Sequence, residues 1–394
     1  MNKNWEYKKI GKVMSVERGG SPRPIQKYLT DSEDGLNWIK ISDATASDKY
    51  IYETKQKITK DGLHKTRLVK EGDFILSNSM SFGRPYIMKT TGCIHDGWLV
   101  LKAKEAGLLD SDFLYHLLGS PYIFEQFDKL AAGSTVRNLN IGLVSSVPIP
   151  IPPLQEQQQI VAILDNAFKA IDQAKANIEK NIENAKELFQ SKLNDIFSQK
   201  GDGWEEKTLG EVAKYDKTKY LATNRPYVGL ENIESNTGIF LGSLEAQKVK
   251  SSTFQFDERH VLYGRLRPYL NKVLVPKFAG HCSTEIFPIL PNNKVLREFL
   301  FYWLMSPLTV SKIDATWTGA RMPRANMNEV IKFKINITSL ENQKKIIKEL
   351  TLLNHEVKNL ELKYKNQINN MEELKRSILQ KAFAGELTNK EVLV

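Results

Sequence analysis

The chain repeats itself once, and that duplication limits the folds open to it more than any other feature. Trp5-Glu-Tyr-Lys-Lys-Ile-Gly-Lys-Val13 returns as Trp204-Glu-Glu-Lys-Thr-Leu-Gly-Glu-Val212, with Trp, Glu, Lys, Gly and Val in the same order. Asp112-Phe-Leu-Tyr-His-Leu-Leu-Gly-Ser-Pro121 returns as Glu298-Phe-Leu-Phe-Tyr-Trp-Leu-Met-Ser-Pro307, 186 residues later. The same offset carries Gly133 onto Gly319, Asn140 onto Asn326, Leu154 onto Leu340 and Gln157 onto Gln343, and holds to Phe197 and Phe383. Between about residues 20 and 110 the copies diverge. A solenoid repeats every ~20–50 residues, so this period describes a duplicated module with a preserved frame around a variable middle.

Each copy ends in a long apolar-periodic run. The first has Ile160, Leu164, Ala167, Ile171, Ala174, Ile178, Ile182, Ala185, Leu188, Leu193 and Ile196; the second has the 186-shifted counterparts from Ile346 to Ala382. Spacings mainly of three and four make a coiled-coil seam, and neither run contains Pro or Gly. Pro148, Pro150, Pro152 and Pro153 mark the entry to the first run, Gly201 and Gly203 follow it, and Gly385 stops the second. About 38 residues at ~1.5 Å each give a rod of roughly 57 Å, more than one small domain can cover. The expectation is therefore that the two helices pair antiparallel, giving a dumbbell with an approximate internal two-fold axis. The competing reading packs each helix only on its own domain.

The halves mix strands and helices and predict an α+β fold. Strands are expected at Leu36–Ile41, Asp73–Ser77, Pro226–Leu230 and His260–Tyr263, and helices at Phe113–Leu118 and Phe299–Leu304, each stopped by Ser-Pro. The variable middles combine turn formers, basic residues and aromatics. In the first half the candidate nucleic-acid contacts are Ser21, Arg23, Lys27, Ser77, Asn78, Ser79, Arg84, Tyr86, Ser134, Thr135, Arg137 and Asn138. In the second they are Lys217, Lys219, Tyr220, Arg225, Arg265, Arg267, Tyr269, Arg321, Arg324 and Asn326. Arg grips guanine bidentately, Asn grips adenine, and Ser or a backbone N–H holds phosphate. For any single arginine a solvated surface or an internal ion pair competes with that reading. The 56 Lys and Arg against 46 Asp and Glu, a formal net charge of +10, fit a polyanionic partner.

Several chemistries find no support. No apolar run reaches the ~18–20 residues of a membrane-spanning helix. The start of the chain carries no apolar signal core, so a cytoplasmic location is expected. Two cysteines, Cys93 and Cys282, allow neither a disulfide framework nor a four-cysteine zinc site. No phosphate-binding P-loop, dinucleotide-binding glycine pattern or Asn/Asp-Pro-Pro-aromatic tetrapeptide occurs. Glu205-Glu-Lys207 has a spacing some nucleases use, which a chain this rich in Glu and Lys produces freely. Cys93 with His95 and His281 with Cys282 read as buried thiols and ordinary imidazoles. No catalytic site and no metal site are expected.

These residues resemble the specificity subunit of Type I restriction–modification enzymes. The likeness rests on the Trp-Glu-x-Lys-x-x-Gly openings, Gly-Gly-Ser-Pro at Gly19–Pro22, Trp38-Ile-Lys-Ile-Ser-Asp43, Gly72–Ser77, Gly133–Ser134 and Pro150–Gln157. The second half departs from it, lacking the Gly-Gly-Ser-Pro turn and carrying Ser339-Leu-Glu-Asn-Gln343 at its helix entry. The resemblance implies two repeated α/β target recognition domains, residues 1–153 and 200–339, joined by two long antiparallel coiled-coil helices, 154–199 and 340–394, with pseudo-two-fold symmetry. It implies recognition of a bipartite, asymmetric double-stranded DNA target, and docking of two modification (methyltransferase) subunits. A restriction (nuclease–translocase) subunit joins where the system has one. S-adenosylmethionine, ATP and Mg would belong to those partners, and none to this chain. The alternatives are a self-contained site-specific nuclease with an unrecognised metal site, and a coiled-coil scaffold with protein-binding ends.

Overall fold

A computed structural model describes residues 5–78, 82–131, 138–222, 224–319 and 321–388. It divides into two compact units. One comprises the residues up to Ala176 with those from Gln367 onward; the other is Asn177–Asn366.

Each unit is closed by a two-stranded antiparallel ribbon joining its first and last strands. In the first, Glu6–Lys9 pairs with Pro148–Ile151, Glu6 opposite Ile151. In the second, Trp204–Thr208 pairs with Lys334–Thr338, Glu205 opposite Ile337. The registers correspond residue for residue under the offsets read from the sequence. Pro148 and Pro150 are accommodated because a two-stranded ribbon leaves each strand an edge on which a missing N–H costs nothing.

Between these strands lie two sheets per unit. In the first unit one sheet runs Met14–Arg18, Trp98–Ala103, Phe74–Ser77, Pro85–Met88, Tyr50–Ile51; the other runs Leu29–Thr30, Lys57–Ile58, Leu36–Ile39, Gly92–Ile94, Arg67–Val69. In the second unit the sheets are Ala213–Tyr215, Ile286–Pro291, Val261–Gly264, Val273–Leu274 and Tyr227–Val228, Gly280–Ser283, Thr253–Phe256. The central strands are buried on both faces, and their period of two splits them between two cores. Phe74, Leu76, Leu99 and Leu101 face the helices, while Ile75, Trp98 and Val100 face the second sheet. Val261 and Tyr263 against Leu262 repeat the division. The strand expected at Leu36–Ile41 ends at Ile39. Ile41–Thr45 is a short helix, entered where the Lys40 N–H donates to the Asp43 carboxylate at 2.9 Å.

Ser-Pro both ends one helix and begins the next. Ser111–Leu118 is followed by Pro121–Ala131, and Arg297–Met305 by Pro307–Asp314. Ser120 Oγ donates to the Leu117 carbonyl (2.6 Å) and Ser306 Oγ to the Trp303 carbonyl (2.8 Å). Proline then opens the second helix, where its missing N–H is not needed.

Gln157 and Gln343, both fully buried, tie the long helices to their units. The Asp110 N–H donates to Gln157 Oε1 (2.8 Å), and Gln157 Nε2 donates to the Leu108 and Pro152 carbonyls (3.1 and 2.8 Å). Leu296, Lys294 and Thr338 meet Gln343 identically, at 2.8, 2.9 and 2.8 Å.

The long helices span Leu154–Phe197 and Leu340–Ala384. Gly385, at φ +79°, terminates the second, with the Glu386 N–H reaching back to the Lys381 carbonyl. In the first unit Asp172 pairs with Lys375 and Lys175 with Glu372; in the second Lys186 pairs with Glu361 and Lys192 with Glu349. Partner numbers fall as residue numbers rise, so the helices run antiparallel in each unit. Their ends also enter the cores: Ile160, Leu164, Ala382 and Phe383 in one unit, Leu193, Ile196 and Leu350 in the other. Packing on the domains and pairing of the helices thus coexist. One stretch of the expected seam is wrong: Leu188 and Leu374 are 60% and 49% exposed. The step from Leu188 to buried Leu193 is five residues, well over a full turn, so the two cannot share a stripe. The seam passes instead through Phe189 and, in the second helix, Lys375, whose ammonium lies 5.4 Å from the Phe168 ring.

Candidate nucleic-acid interface

The two sheets of each unit are joined by a tight turn, and the polar groups of the variable middle gather there. In the first unit the turn covers residues 95–97. Asp96 accepts from Ser21 Oγ (2.6 Å), lies 3.7 Å from the Arg23 guanidinium, and through its carbonyl accepts from Arg18 Nε and Asn78 Nδ2. The Ser21 hydrogen bond holds its carboxyl below the ordinary carboxylate range, against the opposing push of burial. Beside it a cleft of about 700 Å³ is lined by Ser21, Arg23, Trp38, Lys40, Gln56 and His95. Burial lowers the His95 pKa, outweighing the pull of Asp96.

Gly19 and Gly20 are required by packing. A Cβ on Gly19 would stand 2.1 Å from the His95 carbonyl oxygen, and one on Gly20 2.5 Å from that of Lys65. The Gly-Gly-Ser-Pro turn therefore presses backbone against backbone and aims Ser21 at Asp96; its glycines are spent inside the protein.

In the second unit the matching turn holds Glu285. Its carboxylate accepts from Arg265 Nε (3.0 Å) and from Arg324 Nε and Nη2 (2.9–3.1 Å). Burial alone would raise the Glu285 pKa, but the Arg324 and Arg265 hydrogen bonds outweigh it and hold it low. Arg265 also lies over the Phe287 ring at 5.4 Å, which Lys217 approaches to 4.7 Å. Arg267, at φ +52°, is exposed and donates its backbone N–H to the Pro323 carbonyl; Tyr269 and Arg321 are also exposed.

Of the other sequence candidates, Arg23, Lys27, Arg84, Lys217, Lys219 and Arg225 are exposed, and Asn138 is half-buried. Arg84 stacks over Tyr86 at 5.2 Å. Tyr220 stacks on His281 at 4.5 Å and donates to Asn224. Four candidates belong to the interior framework. Ser77, Asn78 and Tyr86 are buried, Tyr86 edge-on to Trp98. Asn326 caps the helix Met327–Val330 by accepting the Asn328 N–H, as Asn140 caps Ile141–Ser146. Ser79, Ser134, Thr135 and Arg137 lie outside the described residues.

Sequence reasoning missed Asp96 and Glu285. Their one signal is a carboxylate within two residues of the start of a strand buried on both faces. Cys93 and Cys282 are buried at matching places, each on a strand that pairs parallel with its neighbour, Cys93 opposite Trp38 and Cys282 opposite Val228. Burial pushes the Cys93 thiol up to about 11. Glu205 and Lys207 are ion-paired with each other at 3.1 Å. No three His, Cys, Asp or Glu side chains among the described residues are grouped to hold a metal ion. No described helix is long and apolar enough to cross a membrane.

Two segments, residues 2–184 and 201–370, match the family described as the Type I restriction modification DNA specificity domain. The chain belongs to that family. It is 25% identical to the Type I restriction enzyme EcoDI specificity subunit of Escherichia coli, over 71% of each chain. It is 21% identical to the MjaIX specificity subunit of Methanocaldococcus jannaschii, over 99% of this chain and 95% of that one. In fold it is similar to the HsdS subunit of Thermoanaerobacter tengcongensis, with a TM-score of 0.62 at 18% identity over 98% of both chains. A chain from a structure of type I R-M complex assembly and conformational transition gives 0.76, at 18% identity over 98% and 99%. Membership makes this chain a DNA specificity subunit, the non-catalytic component of such a system; a self-contained nuclease has no support.

Proposed function

We propose that each unit of this specificity subunit reads one half of a bipartite, asymmetric double-stranded DNA site. The observation that carries this is the pairing of a matched frame with unmatched loops. The ribbons and buried glutamines correspond residue for residue, while one unit has Asp96 with Ser21 and Arg23 where the other has Glu285 with Arg265 and Arg324. A matched frame presents both loop sets alike, and unmatched loops read different bases. One such domain makes only a few base contacts, each worth ~1–3 kcal/mol of discrimination, and the discriminations of two roughly add.

The paired helices set the gap between the half-sites and carry two modification subunits, with a restriction subunit added where the system has one. S-adenosylmethionine, ATP and Mg are bound by those partners. The complex works in the cytoplasm, where the DNA is. Mapping of methylated positions, with this chain assembled on its cognate modification subunits, is expected to return a split motif with two unlike halves. A contiguous motif, or methylation without sequence preference, would refute the reading.

A further inference from the structure

We propose that Glu285 is the positioning residue that fixes Arg265 as a guanine reader in the second half-site, with Arg324 as its clamp. This rests on the DNA-reading assignment above and goes one step further, to a named base class and a named side chain. Three loops converge on the group: Arg265 leaves the strand Val261–Gly264, Glu285 enters the strand Ile286–Pro291, and Arg324 comes from the segment after the helix Pro307–Asp314. Backbone hydrogen bonds lock them together. The Arg265 N–H donates to the Glu285 carbonyl (2.9 Å), and the Ala325 N–H to the Arg265 carbonyl (2.8 Å).

The two arginines are used unequally. Arg324 gives Nε and Nη2 to the carboxylate and Nη1 to the Met322 carbonyl (3.3 Å), so each of its nitrogens is engaged. Arg265 gives only Nε, and its two terminal nitrogens have no partner among the described residues. The Phe287 ring beneath and the carboxylate at one edge hold the plane of that guanidinium while the outer edge stays open. A planar, always-charged fork with two parallel donors matches the O6 and N7 acceptors of guanine in the major groove. The arginines and Glu285 are all about a quarter to a third exposed, so the group is reachable yet held.

The first unit has the same backbone lock and different chemistry. Asn78 stands where Arg265 stands: its N–H meets the Gly97 carbonyl (3.0 Å) and its carbonyl the Leu139 N–H (2.9 Å). There the side chain is turned inward onto the Asp96 carbonyl. The turn carboxylate, one position earlier, gathers Ser21 and Arg23 instead.

The test is methylation mapping on a randomised duplex library, with the full complex carrying Glu285→Gln or Arg265→Lys. Both variants are expected to lower the preference for guanine at one position of one half-site by about tenfold or more, with the other half-site unchanged. Arg265→Lys keeps the charge, so its salt dependence of binding should match wild type while base preference is lost. Should Glu285→Gln fail to assemble, Arg265→Lys decides alone. An unchanged motif in the assembled complex of either variant, or a loss spread over both half-sites, overturns the proposal. A wild-type complex without any motif would instead sink the underlying DNA-reading assignment.

Discussion

The first and second sheet pairs of this chain are built on the same frame and finished with different side chains. Where the frame is concerned, equivalent residues do equivalent work: Gln157 and Gln343 make the same three hydrogen bonds, Ser120 and Ser306 the same one, and Asn140 and Asn326 both cap helices. At the inter-sheet turn equivalence stops. One unit places a carboxylate against a hydroxyl and one distant guanidinium; the other clamps two arginines on one carboxylate. Duplicated frame positions therefore report packing, and on the proposed function diverged loop positions report what is read.

The strongest way to break that comparison is at the buried glutamines. Gln157→Ala and Gln343→Ala each strand one backbone N–H and two carbonyls, and each is expected to destabilise its own unit by about 3 kcal/mol. Hydrogen exchange in the adjoining sheets measures this, and clearly unequal losses would mean the frames are not equivalent. Leu164→Ala and Leu350→Ala, equivalent and fully buried, should each cost about 2–5 kcal/mol in the same assay. Leu188→Ala and Leu374→Ala, equally equivalent but exposed, should stay within about 0.5 kcal/mol.

The loops should respond in binding rather than stability. Arg84→Ala, Arg265→Ala, Arg267→Ala and Arg321→Ala in the assembled complex are each expected to weaken specific DNA binding by about 1–3 kcal/mol where a base contact is lost. Titrations at two salt concentrations check this. Asn326→Ala, which removes only a cap, should cost about 1 kcal/mol of stability and leave the motif intact.

Acid sharpens the contrast further. The Glu285 carboxyl is held below its unfolded value, so its contribution is fully present above about pH 4.3, the ordinary glutamate value, and is lost as pH falls through the lower folded value. Wild type should lose stability relative to Glu285→Gln only below that pH, a difference that acid titration of the two proteins reads. Smallest of all are the interhelical ion pairs: double-mutant cycles at Asp172–Lys375 and Lys192–Glu349 should each return about 0.2–1 kcal/mol and shrink with salt.

Much of the frame was legible because it is written in periodicity. The repeat gave the two modules, the three-and-four spacing gave the long helices, and Ser-Pro marked a helix junction. The seam fails at Leu188 because the five-residue step to Leu193 breaks the stripe. The loops were less legible, since composition does not tell an outward side chain from an inward one. Asn78 and Tyr86 look like readers in a list of residues and are wall in three dimensions, while Glu285, acidic in a basic site, drew no attention.

The claim that the two units read separate half-sites is tested most directly by exchange. Residues 15–145 of this chain would be replaced by the corresponding segment of a relative with a different target, and the methylated motif of the assembled complex mapped. The account predicts that one half of the motif changes to the donor's and the other half stays letter for letter. A motif wholly unchanged, or altered in both halves, would contradict it.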